Sequence, residues 1–219
     1  MNILIVAATD REISTIRELI GSDSKSPLSH SYSFLTTGIG ITRSTFELTH
    51  YLGTHSVDLV IQIGVAGSYH SKITIGEVVW VVKDCFPDLG AETDDGFLSL
   101  TDIHLANQEF FVESDVSNIP NLNMLSALKK VTGATSDIIH HREKRILEIR
   151  NRFQPDVETM EGASMMYVCK QLNVPCLHLR AISNDVTKRE NNNWNLEKAL
   201  FSLNECLKEL FHQLENQPL

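Results

Sequence analysis

Hydrophobic and polar residues follow one another along the chain in blocks that predict strands, each followed by a helix. Residues 2–8 form a continuous apolar run of strand length, which is typical of a strand covered on both faces. Residues 11–20 place apolar side chains at helical spacing on one face, and Gly21 is a stop signal. The same order returns with a strand at 31–37 and a helix at 42–52. The amino-terminal part therefore predicts two strand–helix units.

The alternation continues to the end of the chain. Further strands are predicted at 57–63, 77–83, 130–135, 156–160 and 175–183, and further helices at 142–153, 162–172 and about 195–214. The small and apolar residues of Gly64–Gly67 predict a sharp turn, and the polar segment 84–107 predicts a long loop that serves as a lid or binding loop. Together these elements predict one α/β domain over residues 1–219, with a central mixed β-sheet flanked by helices on both sides.

Composition narrows the class of protein but not its activity. The chain has 219 residues, of which 42% are hydrophobic and 21% charged, as in an average soluble protein. Its net charge is -9, and the basic residues form no dense run outside 140–145, so we expect no nucleic-acid partner. No apolar run approaches the roughly 20 residues that span a bilayer, and the amino terminus predicts a first strand rather than a signal peptide. We therefore expect a cytoplasmic protein without a membrane partner.

Cysteine and histidine spacing argues against a metal site. The four cysteines are Cys85, Cys169, Cys176 and Cys206, and they form no CxxC pair. This spacing predicts buried thiols rather than a zinc site or a disulfide framework. His140 and His141 have no acidic or cysteine partner at ligand spacing, so we expect solvated side chains near a helix start and no bound metal.

Polar residues follow four of the predicted strands, where ligands of α/β sheets bind. The four places are Thr9–Glu12, Gly64–Gly67, Met160–Gly162 and Ser183–Asp185. Glu12 and Glu161 each lie where a carboxylate favours a helix start, so position alone favours a structural role for both. Asn184 has the equally ordinary alternative of an Asx turn at a strand end. Arg180 lies in an apolar strand and needs a carboxylate or a ligand as partner.

A series of short motifs along nearly the whole chain resembles the nucleoside phosphorylase and nucleosidase superfamily. The motifs are Ala7–Glu12, Thr37–Gly40, Gly64–Gly67, Glu158–Ala163 and Arg180–Asn184. Each is weak evidence alone, but their order and their places on the predicted strands make the resemblance specific. The stretches Asp88–Glu92 and Gly96–Leu100, with Trp194, are most similar to the futalosine-cleaving family of purine nucleosidases. Methylthioadenosine/adenosylhomocysteine nucleosidases are similar over the same span but carry Asp where this chain has Asn184.

This resemblance implies a nucleoside phosphorylase-like fold and hydrolysis of an N-ribosidic bond without a cofactor. Glu12 would activate the attacking water as general base, in a chain with few arginines suited to holding phosphate. Glu161 would accept hydrogen bonds from the ribose hydroxyls, and Met160 would pack against the sugar. The resemblance also implies a homo-oligomer with a neighbouring subunit near the pocket.

The side chain of Asn184 predicts which base leaves. A carboxamide can donate to O6 and N7 of a 6-oxopurine, whereas a protonated Asp suits adenine. Asn184 therefore predicts hypoxanthine or guanine, and futalosine carries hypoxanthine. The alternatives are an adenine-releasing nucleosidase, a phosphorylase, and a nucleoside-binding protein without turnover.

Other residues of the motifs are expected at the substrate. Gly67 would let the backbone approach it, and Arg180 would support Glu12 or the water, or else make a structural ion pair. Trp194 and Phe97 are candidates for stacking on the base or on the aromatic carboxylate part of futalosine, with ordinary packing as the alternative. The cations that could pair with that carboxylate are Lys83, Lys188 and Arg189.

Overall fold

The computed structural model describes residues 1–22, 29–94, 96–107, 110–114, 116, 123–187 and 194–216. In this part of the chain the strands are β1 (Asn2–Ala7), β2 (Ser31–Thr36), β3 (Leu59–Ser68), β4 (Val78–Cys85), β5 (Gly90–Thr93), β6 (Gly96–Ser99), β7 (Phe111–Glu113), β8 (Lys129–Thr135), β9 (Val157–Thr159) and β10 (Cys176–Asp185). The helices are α1 (Asp10–Ser22), α2 (Ile41–Thr54), α3 (Asn123–Ala127), α4 (Glu143–Phe153), α5 (Gly162–Gln171) and α6 (Leu196–Asn216).

The central sheet is mixed, as predicted. β1 pairs in parallel with β2 and β3, β3 pairs in parallel with β10, and β8 pairs in parallel with β4 and β9. The antiparallel pairs are β10–β4, β3–β9 and β4–β7. Because β10 pairs with both β3 and β4, and β9 with both β3 and β8, the strands β3, β10, β4, β8 and β9 form a closed ring.

Helices cover both faces of the sheet, which confirms the predicted layers. Ile3 and Ile5 of β1 belong to a buried cluster with α1 and α6. The alternate residues Leu4 and Val6 belong to a second cluster, with α2 and α5. This alternation follows from the period of two along a strand. No helix of the described ranges is both long and apolar enough to cross a bilayer.

The sharp turn predicted at Gly64–Gly67 is wrong, because β3 continues through these residues to Ser68. They pair with β10, and Gly64 lies opposite Arg180. A Cβ on Gly64 would lie 2.0 Å from Nη1 of Arg180. The glycine thus permits close approach of a neighbouring side chain, not a reversal of the chain.

The segment predicted as a long loop, residues 84–107, instead contains the antiparallel hairpin β5–β6. Asp88, just before the hairpin, accepts a 2.7 Å hydrogen bond from Nη2 of Arg145 on α4. The guanidinium of Arg145 also lies 4.0 Å from the ring centroid of Phe97 on β6. These contacts attach the hairpin to α4, and Phe97 packs there.

The predicted state of the cysteines is largely confirmed. All four side chains are thiols, and those of Cys85, Cys169 and Cys176 are buried in the apolar clusters. Cys206 is partly exposed on α6.

Candidate active site

One cavity of about 340 Å³ lies where β1, β3, β9 and β10 end and where α1 and α6 begin. A volume of this size suits a small-molecule ligand. The seven residues that the sequence assigns to a site all line it: Glu12, Gly67, Met160, Glu161, Arg180, Asn184 and Trp194. The structure therefore brings together residues that are far apart in the chain.

Glu12 is a buried carboxylate held in one orientation by three donors. Its Oε2 accepts hydrogen bonds from the backbone N–H and the hydroxyl of Thr9, at 3.0 and 2.8 Å. Its Oε1 accepts a 3.2 Å hydrogen bond from the backbone N–H of Val65. The side chain is 8% exposed, so the carboxylate reaches the cavity but not the open surface. This arrangement suits a base that must keep its position while it takes a proton.

Glu161 lies at the start of α5 and is 4% exposed. Its Oε1 accepts a 3.1 Å hydrogen bond from the backbone N–H of Gly40, and its Oε2 lies 3.6 Å from Nη2 of Arg180. Gly40 has a φ of 98°, in the left-handed region that favours glycine, and so turns its N–H toward the carboxylate. Burial raises the pKa of Glu161, and the charge of Glu12 adds to this effect, while Arg180 and the Gly40 N–H oppose it.

Arg180 is 1% exposed and connects the two carboxylates to a deeper histidine. Nη1 of Arg180 and Oε1 of Glu12 both lie next to Gly64. Nη2 of Arg180 lies 3.6 Å from Oε2 of Glu161. Its Nε donates a 2.7 Å hydrogen bond to Nε2 of His178. Burial and the charge of Arg180 lower the pKa of His178 well below its ordinary value, so this ring is neutral and Nε2 accepts. Arg180 thus makes an ion pair with Glu161, and its expected support of Glu12 or the water stays a prediction.

Asn184 reaches the cavity through a β-bulge at Ser183. Ile182 pairs with Ala66 and Asn184 with Gly67, so Ser183 is an extra residue on β10, and both Ser183 and Asn184 line the cavity. The Ser183 hydroxyl donates to Oδ1 of Asn184 at 2.8 Å, and Nδ2 of Asn184 donates to the Asp185 carbonyl at 3.2 Å. The second N–H of the carboxamide has no acceptor in the part of the chain that the structure describes.

Gly67 makes room for that carboxamide. A Cβ on Gly67 would lie 3.0 Å from Nδ2 of Asn184 and 2.8 Å from a methyl group of Val186. Since the second distance is a clash and the first is tight, a larger residue would displace Val186 and press on the carboxamide of Asn184. Gly67 thus acts on the position of a neighbouring side chain.

Apolar side chains form the remaining walls of the cavity. Met160 is partly buried beside Glu161, while Trp194 is 51% exposed at the start of α6. Further apolar lining comes from Ile39, Ile139, Leu196 and Leu200. The combination of apolar walls and a few fixed polar groups is typical of a nucleoside-sized site.

The structure corrects the expectation for His140. His140 is buried, not solvated: its Nδ1 lies 2.5 Å from Oε1 of Glu158, and its Nε2 lies 3.3 Å from Oδ1 of Asp88. These partners are distant in sequence, which explains why ligand spacing missed them. His141 is exposed, as expected.

Two further candidates do not line the cavity. Phe97 packs under Arg145, and the ammonium of Lys83 lies 4.1 Å from the ring centroid of Phe111. Both are held by contacts with other parts of the chain that the local sequence does not reveal. The candidates Lys188 and Arg189 lie outside the described residues.

The sequence reading missed four residues of the site or its support. Thr9 orients Glu12, Glu158 and Arg11 line the cavity, and His178 holds Arg180. Thr9 and Arg11 lie within the Ala7–Glu12 motif, and Glu158 within Glu158–Ala163, so the motifs themselves could have indicated them. His178 carries no such signal, because its role depends on the i, i+2 alternation of a strand whose neighbours were unknown.

Comparison with known proteins agrees with the resemblance found in the sequence. Futalosine hydrolase of Thermus thermophilus is 28% identical over 181 residues, which are 82% of this chain and 80% of that protein. A 5'-methylthioadenosine/S-adenosylhomocysteine nucleosidase of Anoxybacillus flavithermus is 25% identical over 98% of this chain and 99% of its own. The solved structure of futalosine hydrolase of Helicobacter pylori superposes with a TM-score of 0.78, at 26% identity and 97% coverage of each chain. These relatives confirm the nucleoside phosphorylase-like fold. A model of the phosphorylase superfamily matches residues 3–214, so this chain belongs to the phosphorylase superfamily.

Proposed function

We propose that this protein hydrolyses the N-ribosidic bond of futalosine, releasing hypoxanthine and dehypoxanthinyl futalosine in menaquinone biosynthesis. The observation that carries the proposal is the convergence of Glu12, Glu161 and Asn184 on one cavity. Cleavage of this bond needs an activated nucleophile, a group that stabilises the cationic ribose, and a donor to the departing base. The three side chains have the chemistry for these three tasks.

Glu12 is assigned the role of general base. Its Oε2 is occupied by two donors from Thr9, whereas Oε1 has the Val65 N–H as its single donor among the described residues and so retains acceptor capacity for a water. The water forms its bond to the anomeric carbon as it transfers a proton to Glu12. The bond from that carbon to the base breaks, and its electron pair leaves with the base.

Glu161 is assigned to the ribose. A buried carboxylate that accepts hydrogen bonds from the ribose hydroxyls orients the ring and favours the positive charge that develops on it. Arg180, which Nε2 of His178 holds in place, keeps Glu161 directed into the cavity. Arg180 is a positioning residue in this scheme.

Asn184 is assigned to the leaving base. The Ser183 hydroxyl occupies Oδ1, so the carboxamide presents its N–H side to the cavity. A donor at this place stabilises the negative charge on a 6-oxopurine, whose O6 and N7 are both acceptors. This favours hypoxanthine over adenine as the leaving group.

Relatives support hydrolysis but differ in the nucleoside that their names give. The Thermus thermophilus protein is a futalosine hydrolase, and the Anoxybacillus flavithermus protein is a nucleosidase of two adenine nucleosides. The second candidate function is therefore an adenine-releasing nucleosidase. Asn184 decides our preference, since its second N–H can donate to O6 of hypoxanthine, whereas adenine presents an amino donor at that position.

The test is to identify the base released from futalosine, inosine and methylthioadenosine, with and without inorganic phosphate. We expect hypoxanthine from futalosine at a rate that does not depend on phosphate. Adenine from methylthioadenosine as the dominant product would support the second candidate. A requirement for phosphate would indicate a phosphorylase, and binding without release in a single-turnover incubation would indicate a nucleoside-binding protein.

We also propose a cytoplasmic homo-oligomer that needs no cofactor. The apolar side chains of Ile39 and Ile139 line the cavity while 53% and 46% exposed, and Ile138 beside them is 60% exposed. Apolar groups grouped at a cavity mouth favour burial against another subunit. Buried thiols suit a reducing compartment. Sedimentation of the purified protein, with and without substrate, tests the assembly.

A further inference from the structure

We propose that Arg11 forms a carboxylate subsite at the mouth of the cavity and selects substrates whose ribose carries an acidic aromatic tail. This inference rests on the proposed function and adds the group that recognises the far end of the substrate. Arg11 lines the same cavity as Glu12, but its side chain is exposed. Successive side chains on a helix point about 100° apart, so Glu12 reaches the cavity floor while Arg11 stays at the rim.

The charges of the cavity single out Arg11. The carboxylates of the lining, Glu12, Glu158 and Glu161, are all buried, and each has donors within the protein. The other lining cation, Arg180, is buried against Glu161 and His178. The structure holds no ion pair to the Arg11 guanidinium within the ranges it describes. An acidic ligand is repelled by the carboxylates of the floor and attracted only at the rim.

Helix stability does not explain a cation at this position. Arg11 lies in the first turn of α1, where the helix dipole disfavours positive charge. Its neighbours Asp10 and Glu12 are the acidic residues that a helix start favours. The side chain is thus placed where its charge is unfavourable for folding and available to a ligand.

An apolar wall lines the same cavity as this cation. α1 and α6 pack into the same buried cluster, and residues at or near the start of each helix line the cavity. The start of α6 contributes Trp194, Leu196 and Leu200 to the lining. A flat aromatic ring fits against such side chains, and its carboxylate can take two parallel N–H donors from a guanidinium. The pairing of wall and cation matches an aromatic carboxylate better than an alkyl tail or a free hydroxyl.

The test compares futalosine with its methyl ester, which has the same tail without the charge. In the native protein, kcat/KM for futalosine should exceed that for the ester. Arg11→Met should lower this preference about 10- to 100-fold, the range for one charge-assisted contact, mainly through KM because the tail is bound alike before and during reaction. Arg11→Lys should restore part of it. The matched control is Arg17→Met, on the same helix, since the Arg17 guanidinium lies 5.5 Å from the ring centroid of Phe34, which does not line the cavity.

Binding to a Glu12→Gln chain gives a readout that does not need turnover. Calorimetry should show futalosine binding weakened about 10- to 100-fold by the added Arg11→Met change, and ester binding changed far less. An equal loss of affinity for both ligands, or no loss for either, would overturn the assignment. So would a loss of futalosine affinity alone in Lys188→Ala or Arg189→Ala but not in Arg11→Met. If futalosine binds through Arg11 but is not hydrolysed by the native chain, the proposed function fails while the subsite stands.

Discussion

His178 and Arg180 lie two residues apart on β10, and Nε of Arg180 donates a 2.7 Å hydrogen bond to Nε2 of His178. Both side chains are fully or almost fully buried, at 0% and 1% exposed. An internal histidine therefore fixes the guanidinium that faces Glu161 and flanks the same glycine as Glu12.

Replacing His178 should damage stability and activity together. His178→Phe keeps a ring but leaves Nε of Arg180 without its acceptor, which costs about 1.5–3 kcal/mol for a hydrogen bond to a charged group. We expect denaturant unfolding to show that loss and kcat/KM to fall about tenfold or more, because Arg180 no longer holds Glu161. Leu179→Met, a volume-conserving change on the same strand, is the control and should cost less than about 1.5 kcal/mol. Native-like kinetics in His178→Phe would contradict the positioning role.

Glu12→Gln should remove most turnover while substrate binding remains. A general base contributes about 10²- to 10⁴-fold in rate, and an amide cannot accept the proton from water. Steady-state kinetics and calorimetric binding of futalosine measure the two effects separately. The control is Asp10→Asn, an exposed carboxylate of the same helical turn, whose Oδ1 accepts a hydrogen bond from Thr36. A drop in both variants alike would point to helix stability instead of base catalysis.

Asn184→Asp should lower hydrolysis of futalosine about 10²- to 10³-fold at neutral pH, the size of effect seen when one transition-state donor is removed. In the native protein the Asp185 carbonyl accepts a 3.2 Å hydrogen bond from Nδ2 of Asn184. An ionised Asp would place an oxygen there instead, facing both that carbonyl and the acceptors of the base. Activity should return in part as the pH falls, since a protonated Asp regains one donor.

The measurement for this variant is kcat/KM for futalosine and for methylthioadenosine across pH. Relative activity toward the adenine nucleoside should rise. Asn195→Asp is the control, because Asn195 caps α6 through Oδ1 and a carboxylate fills that role as well. Unchanged preference and rate at neutral pH in Asn184→Asp would mean that Asn184 does not read the base.

His140 should make stability depend on pH in the alkaline range. Burial opposes its protonation, but hydrogen bonds to Asp88 and Glu158 outweigh burial and raise the pKa of His140 to about 9. Because this value lies above the ordinary 6.5, the stabilisation is fully present below pH 6.5 and is lost as the pH rises through 9.

Denaturant unfolding at several pH values tests this dependence. The difference in unfolding free energy between the native chain and His140→Gln should be on the order of 1–2 kcal/mol larger at pH 6 than at pH 10, with solvent screening at Asp88 allowed for. The exposed neighbour His141 gives the control: His141→Gln should show no such trend. A constant difference for His140→Gln would rule out a charged His140 in the folded state.

The pattern of apolar and polar residues was sufficient to predict the layers of the fold and the location of the site. Apolar periodicity located β1 and α1, and the polar residues after the strands, such as Glu12 and Asn184, indeed surround one cavity. Both kinds of signal are local. Each depends on residues within one turn or one strand, where spacing alone fixes which side chains share a face.

What the pattern could not provide are contacts between distant segments. Small residues at Gly64–Gly67 suit a turn and a close strand contact equally well, and only the pairing with β10 distinguishes them. His140 looked solvated because Asp88, 52 positions earlier in the chain, and Glu158, 18 positions later, are its partners. The same holds for the carboxylates Glu12 and Glu161: Arg180 pairs with Glu161, and its Nη1 lies next to Gly64, as Oε1 of Glu12 does.

The pairing of β3 with β10 has a consequence for how the protein is made. Gly64 lies beside Arg180 and Gly67 beside Asn184, so the ring of strands joins two segments that are far apart in the chain. A nascent chain that has left the ribosome only as far as α5 carries Glu12 and Glu161 but neither Arg180 nor Asn184. Until β10 emerges, β3 presents an unpaired edge that is open to aggregation, and domains of such long-range topology depend on protection during synthesis. The cavity is complete only after β10 and the start of α6, which also line it, have been synthesised.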